Sequence, residues 1–225
     1  MSGNNVEQPF NPLRIRAYLV TPVISDEYLP LDGVLYYHQV RSQYGARDVT
    51  YPNQSDVCEG GDVSLPILKT HTDSDMWFYA SSFAQWPDHT VQDKQFFSKV
   101  FNQKRQHYLT GKQKTVMNKS GAYKGYRIPV YTFSAQFVDW YVCGNRDQIE
   151  LLLSHCHFIG KKSVQGYGQV REWQIDPWPE DWSVRGPQNK LMRNVPLDQS
   201  KPGFLYGIRP SYWHPKHQFI TKMPQ

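Results

Sequence analysis

Eleven residues, Gly160 to Val170, reading GKKSVQGYGQV, join a segment of helical periodicity to one of strand periodicity. Three glycines let the chain turn sharply and let backbone amides approach an anion, while Lys161 and Lys162 place fixed positive charge beside them. An ATPase-type phosphate loop is excluded, because it needs a glycine five residues before the Gly-Lys pair and a Ser or Thr after the lysine. His155 and Lys162 stand in those places. A dinucleotide fingerprint is excluded too, since Arg171 follows Gly166 and Gly168 where a third glycine is required. A glycine cluster also marks a plain flexible connector. The paired lysines are what such a connector does not need, and they make nucleic acid the first partner to consider.

The flanking sequence predicts an α+β fold. Leu13, Ile15, Ala17 and Leu19 alternate with Arg14, Arg16 and Tyr18, which predicts a strand with one buried face and a basic, aromatic outer face. Thr21-Pro22 closes it, and Pro30-Leu31-Asp32-Gly33 opens a helix through Ser42 with Asp32 as N-cap. Residues 44–91 read as connecting strands and loops. Gln92 to Tyr108 shows helical spacing through Phe97, Val100 and Phe101, and Lys112 to Arg127, with Ser120-Gly121 inside it, reads as a hairpin or mobile arm. A single strand is expected from Tyr131 through Val142. Asn145 with Gln148 fits a capping pair, and Ile149, Leu152, Leu153 and Cys156 share one helical face before the glycine-rich loop. A strand over Gln169 to Ile175 follows. Beyond Asp176 the prolines leave little room for regular structure, so this part is expected to lie extended on the core, burying Trp178, Trp182, Phe204, Tyr206, Tyr212 and Trp213.

Charge is unevenly distributed. Residues 94–138 contain no Asp or Glu and nine Lys or Arg, against +5 for the whole chain, so the remainder is net negative. A stretch of one sign interleaved with Tyr108, Tyr123 and Tyr126 suits a polyanion that also offers bases for stacking, although a solvated basic face has the same composition. With seven Trp, fifteen Tyr and eleven Phe the chain is expected to fold. No apolar run approaches the roughly 20 residues of a membrane span, and no signal peptide is evident, so a cytoplasmic location is expected. Cys58, Cys143 and Cys156 are widely spaced and are expected to be free thiols.

The loop GKKSVQGYGQV after the helix from Arg146 to His155, with the order β, α, basic insertion, β, α, glycine-rich loop, β, resembles the RAMP superfamily of CRISPR proteins. Thr21-Pro22 followed by Pro30-Leu31-Asp32-Gly33-Val34-Leu35, and the late Ile208-Arg209-Pro210-Ser211-Tyr212-Trp213, are similar to the small RAMP subunit of type IV CRISPR effector complexes. The resemblance implies a ferredoxin-like, RRM-like domain over residues 1–176, a basic thumb at 92–129 and an extended Pro/Trp-rich segment at 177–225. It further implies a non-enzymatic scaffold that caps the 5′ handle of the guide RNA, docks the backbone RAMP subunits and the large subunit, and meets target DNA only indirectly. Carried onto this chain, the RNA-binding set is Arg14, Arg16, His38, Lys112, Lys114, Lys119, Lys124, Arg127, Lys161, Lys162, Ser163, Gln165 and Tyr167. Tyr167 is a candidate base-stacker or a packed tyrosine.

The competing class is a metal-independent RAMP endoribonuclease that processes precursor guide RNA, which needs a titratable group at the scissile phosphate. His38 is the best-placed histidine, but a partly buried helix histidine or a simple RNA contact is the favoured explanation of it. His155 and His157, at i and i+2, do not converge on a metal, so no metal and no cofactor are expected. A general RNA-binding module outside CRISPR is the third class, weakened by the missing aromatic signature of an RNA recognition motif.

Overall fold

The computed structural model describes residues 10–44, 63–73, 76–102, 104, 117, 119–198 and 200–224. Its centre is a three-stranded antiparallel sheet in which β1 (Asn11–Leu19) lies between β7 (Phe137–Gly144) and β8 (Val170–Pro177). The alternation in β1 works as expected: Leu13, Ile15 and Ala17 are buried while Arg14, Arg16 and Tyr18 point outward. Ile149, Leu152 and Leu153 of α2 (Arg146–Leu153) and Leu31 and Leu35 of α1 (Leu31–Tyr44) join these residues and the fully buried Trp140 in one core. The two helices pack on each other against that face. Beyond the free edge of β7, bridges from Ile67 to Gly144, Ser81 to Val142 and Gln85 to Asp139 extend the layer antiparallel.

α2 starts where the capping pair predicts, with the Asn145 side chain accepting the Gln148 N–H at 3.1 Å. It ends at Leu153, sooner than the expected His155, and Cys156 is buried in the turn that follows. Burial pushes the Cys156 thiol up to about 12, and Cys143 is likewise buried and free. Cys58 lies outside the described residues.

Three local expectations are corrected. The helical spacing from Gln92 is instead strand β5 (Val91–Lys99), paired antiparallel along its whole length with β6 (Tyr126–Ser134), whose far end also pairs with the short β2 (Val23–Ile24). The single strand expected from Tyr131 to Val142 is two, β6 and β7, broken at Ala135-Gln136, where the Gln136 carbonyl turns to accept from Leu19 N–H at 2.8 Å. Asp32 does not cap α1 from outside. It sits in the first helical turn with its carboxylate fully buried, accepting from Gly33 N–H and the Tyr212 hydroxyl, with the Arg193 guanidinium 3.8 Å away.

Between α1 and β5 in the chain come β3 (Lys69–Asp73) and β4 (Met76–Tyr79), paired antiparallel as a hairpin. The C-terminal part is more regular than expected: β9 (Val195–Pro196), β10 (Phe204–Gly207) and β11 (Gln218–Lys222) form a small sheet of order β10-β11-β9. It is fastened to the core by Arg193, fully buried, whose guanidinium donates to the carbonyls of Tyr79, Ser81 and Ile208. A buried cation is tolerable only when its donors are satisfied and a carboxylate faces it, as Asp32 does here. Trp178, Trp182, Tyr206 and Tyr212 are at least partly covered, but Phe204 and Trp213 remain exposed, contrary to expectation. Among the described residues no helix is long and apolar enough to cross a membrane.

Candidate nucleic-acid interface

The glycine-rich loop is held to its own fold by backbone hydrogen bonds. Lys161 N–H donates to Ile24 O at 2.7 Å, Ile159 N–H to Gly168 O at 2.9 Å and Gly168 N–H to Pro22 O at 2.8 Å. The Thr21 hydroxyl donates to Gly166 O and accepts from Gln169 N–H, tying the loop to the end of β1. Two glycines are required by this packing. Gly168 has φ +73°, and a Cβ there would lie 1.9 Å from Ile159 O; Gly160 has φ +75°, and its Cβ would lie 2.5 Å from Ile24 O. These glycines serve the close approach of protein backbone to protein backbone. Because several of the loop's amides are already engaged, the capacity to meet a phosphate rests on its side chains.

Those side chains are presented outward. Lys161 pairs with Asp26 at 2.9 Å, but the two side chains are 60% and 73% exposed, so the pair is worth little and the ammonium is readily shared with another anion. Lys162 is exposed and stands over the Phe97 ring at 5.1 Å. Gln165 is exposed and Ser163 is half-buried at the mouth of a groove toward α1. Tyr167 is half-buried, donates its hydroxyl to Gln95 Oε1 at 3.0 Å and meets the Phe97 ring edge-on. It therefore docks the loop onto one face of β5.

The hairpin has two unlike faces, and its register explains them. Phe97 and Gln95 face the glycine-rich loop. Lys94 lies opposite Tyr131, Phe96 opposite Pro129 and Ser98 opposite Arg127, so these residues share the other face. There Arg127 lies 4.1 Å from the Phe96 ring centroid and Lys94 5.8 Å from those of both Phe96 and Tyr131. Phe96 and Tyr131 are each 48% exposed. Among the described residues no carboxylate is paired with Lys94 or Arg127. Lys94, Phe96 and Tyr131 are additions to the residues expected from sequence. The signal that finds them is period-two alternation on two strands that pair across some thirty residues of chain.

The remaining expected residues fall elsewhere. Lys119 and Lys124 are exposed near the turn leading into β6, and Lys112 and Lys114 lie outside the described residues. Arg14 and Arg16 are held by carboxylates directly across the sheet. Arg16 donates twice to Asp139 at 2.7 Å, which raises the guanidinium pKa above its ordinary value, and Arg14 donates to Asp176 at 2.5 Å, which lowers that carboxyl's pKa. His38 lines the groove of about 510 Å³ between α1 and the loop, together with Gly160, Lys161 and Ser163. Burial, then Arg41, His155 and His157, lower its pKa. Among the described residues no cluster of His, Cys, Asp and Glu is suited to a metal ion.

No curated protein matches the chain closely enough to supply a relative. The family described as CRISPR type IV associated protein Csf3 matches it over residues 11–224, from the first residue of β1 to past the end of β11. That match spans the sheet, both helices, the glycine-rich loop and the C-terminal sheet, and so the chain belongs to the Csf3 family of type IV CRISPR-associated proteins.

Proposed function

We propose that this protein is a non-catalytic RNA-binding subunit of a type IV CRISPR effector complex that caps the 5′ handle of the guide RNA. The observation that carries the reading is the docking of the glycine-rich loop onto the β5–β6 hairpin through Tyr167, Gln95 and Phe97, which sets the loop lysines beside the free edge of β5. The strand's phosphates meet Lys161 and Lys162, and where it rounds the free edge of β5 to the hairpin's opposite face its bases stack on Phe96 and Tyr131 between Lys94 and Arg127. Single-stranded RNA is gripped in this way, by phosphate contacts joined to splayed bases on aromatic rings. The order β7-β1-β8, with an antiparallel layer beyond β7 and both helices on one face, supports a ferredoxin-like domain of RAMP type, with the hairpin as its thumb.

Docking of the backbone and large subunits is part of the same proposal. Phe204 and Leu205 are 69% and 65% exposed on β10, an edge strand, and Trp213 is exposed nearby in the chain. Apolar edges of this kind are usually covered by a partner.

The test uses purified full-length protein with a repeat-derived 5′-handle RNA in EDTA. The RNA is expected to bind and to remain uncut. Lys161→Ala with Lys162→Ala should lower affinity and flatten the log–log salt slope by about 1.4, from roughly 0.7 per single-strand phosphate contact. A defined cleavage product that disappears in His38→Ala would replace this reading with the nuclease one, and an unchanged slope would remove the loop from the interface.

A further inference from the structure

Next to the groove under the glycine-rich loop is a second recess, about 540 Å³, between α1 and the turn that follows α2. Its walls carry His38 and Arg41 from α1 and His155 and His157 from the turn, closed by Tyr37 and Ser163. No Asp or Glu lines it. Arg41 Nη1 donates to the Tyr37 hydroxyl at 2.9 Å and the guanidinium stands 5.5 Å from that ring, while the His38 ring meets the same tyrosine edge-on. One arginine and one histidine are thus braced toward a cavity whose opposite side supplies two more imidazoles.

We propose that this recess is a phosphate-binding pocket whose affinity rises as pH falls. Like-signed groups gathered from separate elements repel one another until an anion joins them. The effect is visible at His38, which burial first and then Arg41, His155 and His157 hold below the usual histidine pKa. The sign follows. In the free protein His38 is mostly neutral at pH 7, a bound phosphate favours its protonated form, and binding is therefore coupled to proton uptake. The charged and titratable groups facing the pocket are Tyr37, His38 and Arg41 on α1 and His155 and His157 on the turn; Asp26, in the adjoining groove, is occupied by Lys161. The shared chemistry is a phosphate group, either an internal phosphodiester of a strand or a terminal phosphate monoester. The proposal rests on the RNA-binding reading for its natural ligand, while the pocket's response to inorganic phosphate does not.

The experiment follows the histidine ring signals of the full-length protein by NMR while inorganic phosphate is added, with exposed His89 as internal control. The ring signals of His38, His155 and His157 should shift together as phosphate is added, those of His89 should not, and Arg41→Ala should weaken the response several-fold. RNA oligonucleotides with a 5′-phosphate or a 5′-hydroxyl are then bound between pH 8 and pH 6. Tightening toward low pH, by up to roughly tenfold per pH unit for each proton taken up, should vanish in the variant His38→Gln/His155→Gln/His157→Gln. Tightening for both RNAs assigns an internal phosphate, and tightening for the 5′-phosphate alone assigns a terminal one. Rings that do not move with phosphate, or that move no more than His89, overturn the pocket. A phosphate response in a protein that binds no RNA keeps the pocket and removes the RNA-binding reading instead.

Discussion

Two sheet faces of this protein look alike as strings of residues and differ once their partners are in place. The outer face of β1 carries Arg14, Arg16 and Tyr18; the outer face of the β5–β6 hairpin carries Lys94, Phe96, Arg127 and Tyr131. On β1 the register sets Arg16 directly opposite Asp139 and Arg14 opposite Asp176, and the Arg16 guanidinium is further covered by the Phe137 ring at 3.7 Å. On the hairpin the register sets Lys94 opposite Tyr131 and Arg127 opposite Ser98. Cross-strand neighbours decide what a charge does. The first face stabilises the sheet, whereas the second leaves positive charge and aromatic rings exposed.

The largest difference between the faces is expected in RNA affinity. Lys94→Glu with Arg127→Glu should weaken binding of a handle RNA on the order of a hundredfold, because two phosphate contacts become repulsions. Filter binding at fixed salt checks it, and a loss below threefold would remove the hairpin from the interface. Next in size is stability of the β1 face. Arg16→Met leaves Asp139, which is buried, without its partner and should cost about 2 kcal/mol, between the values for exposed and fully buried pairs. Urea unfolding measures that cost, and RNA affinity should stay unchanged.

A smaller effect separates stacking from charge on the hairpin. Phe96→Ala should reduce affinity about tenfold, within the range for one stacked base, while leaving the salt slope as it was. A flattened slope would mean that the ring acts only by positioning Arg127. The smallest effect is the pH dependence of the Arg14–Asp176 pair. The depressed Asp176 pKa means that the pair contributes stability above the unfolded carboxyl value, about 3.9, and loses it as pH falls through the folded value. With both side chains partly exposed, Asp176→Asn should lower stability at pH 7 by less than about 1 kcal/mol, and the difference from wild type should fade below about pH 4. A difference that persists at pH 2 would trace the effect to something other than the ion pair.

Local signals were the legible ones. The Asn145 cap, the apolar face of α2, the alternation of β1 and the position of the glycine-rich loop all depend on residues a few places apart. The hairpin was not legible in that way. Phe96 and Phe97 are adjacent because each serves a different face, and this hides the period of two; Phe97, Val100 and Phe101 then imitate a helical spacing. The role of Asp32 depends on Arg193 and Tyr212, more than 150 residues away, and no local capping rule anticipates a buried pair of that separation. For the site, Lys161 and Lys162 emerged as exposed cations, whereas Arg14 and Arg16 could be told from Lys94 and Arg127 only by register. The basic, acid-free composition pointed to the hairpin without showing which of its residues face outward.

Ultraviolet cross-linking of the full-length protein to a handle RNA, with the linked peptides identified by mass spectrometry, decides between the two faces. Adducts are expected at Phe96 and Tyr131, with Tyr18 and Phe137 beside Arg16 unmodified. Adducts at Tyr18 or Phe137, with Phe96 and Tyr131 bare, would place the strand on β1 and contradict the assignment of the hairpin as the RNA-binding face.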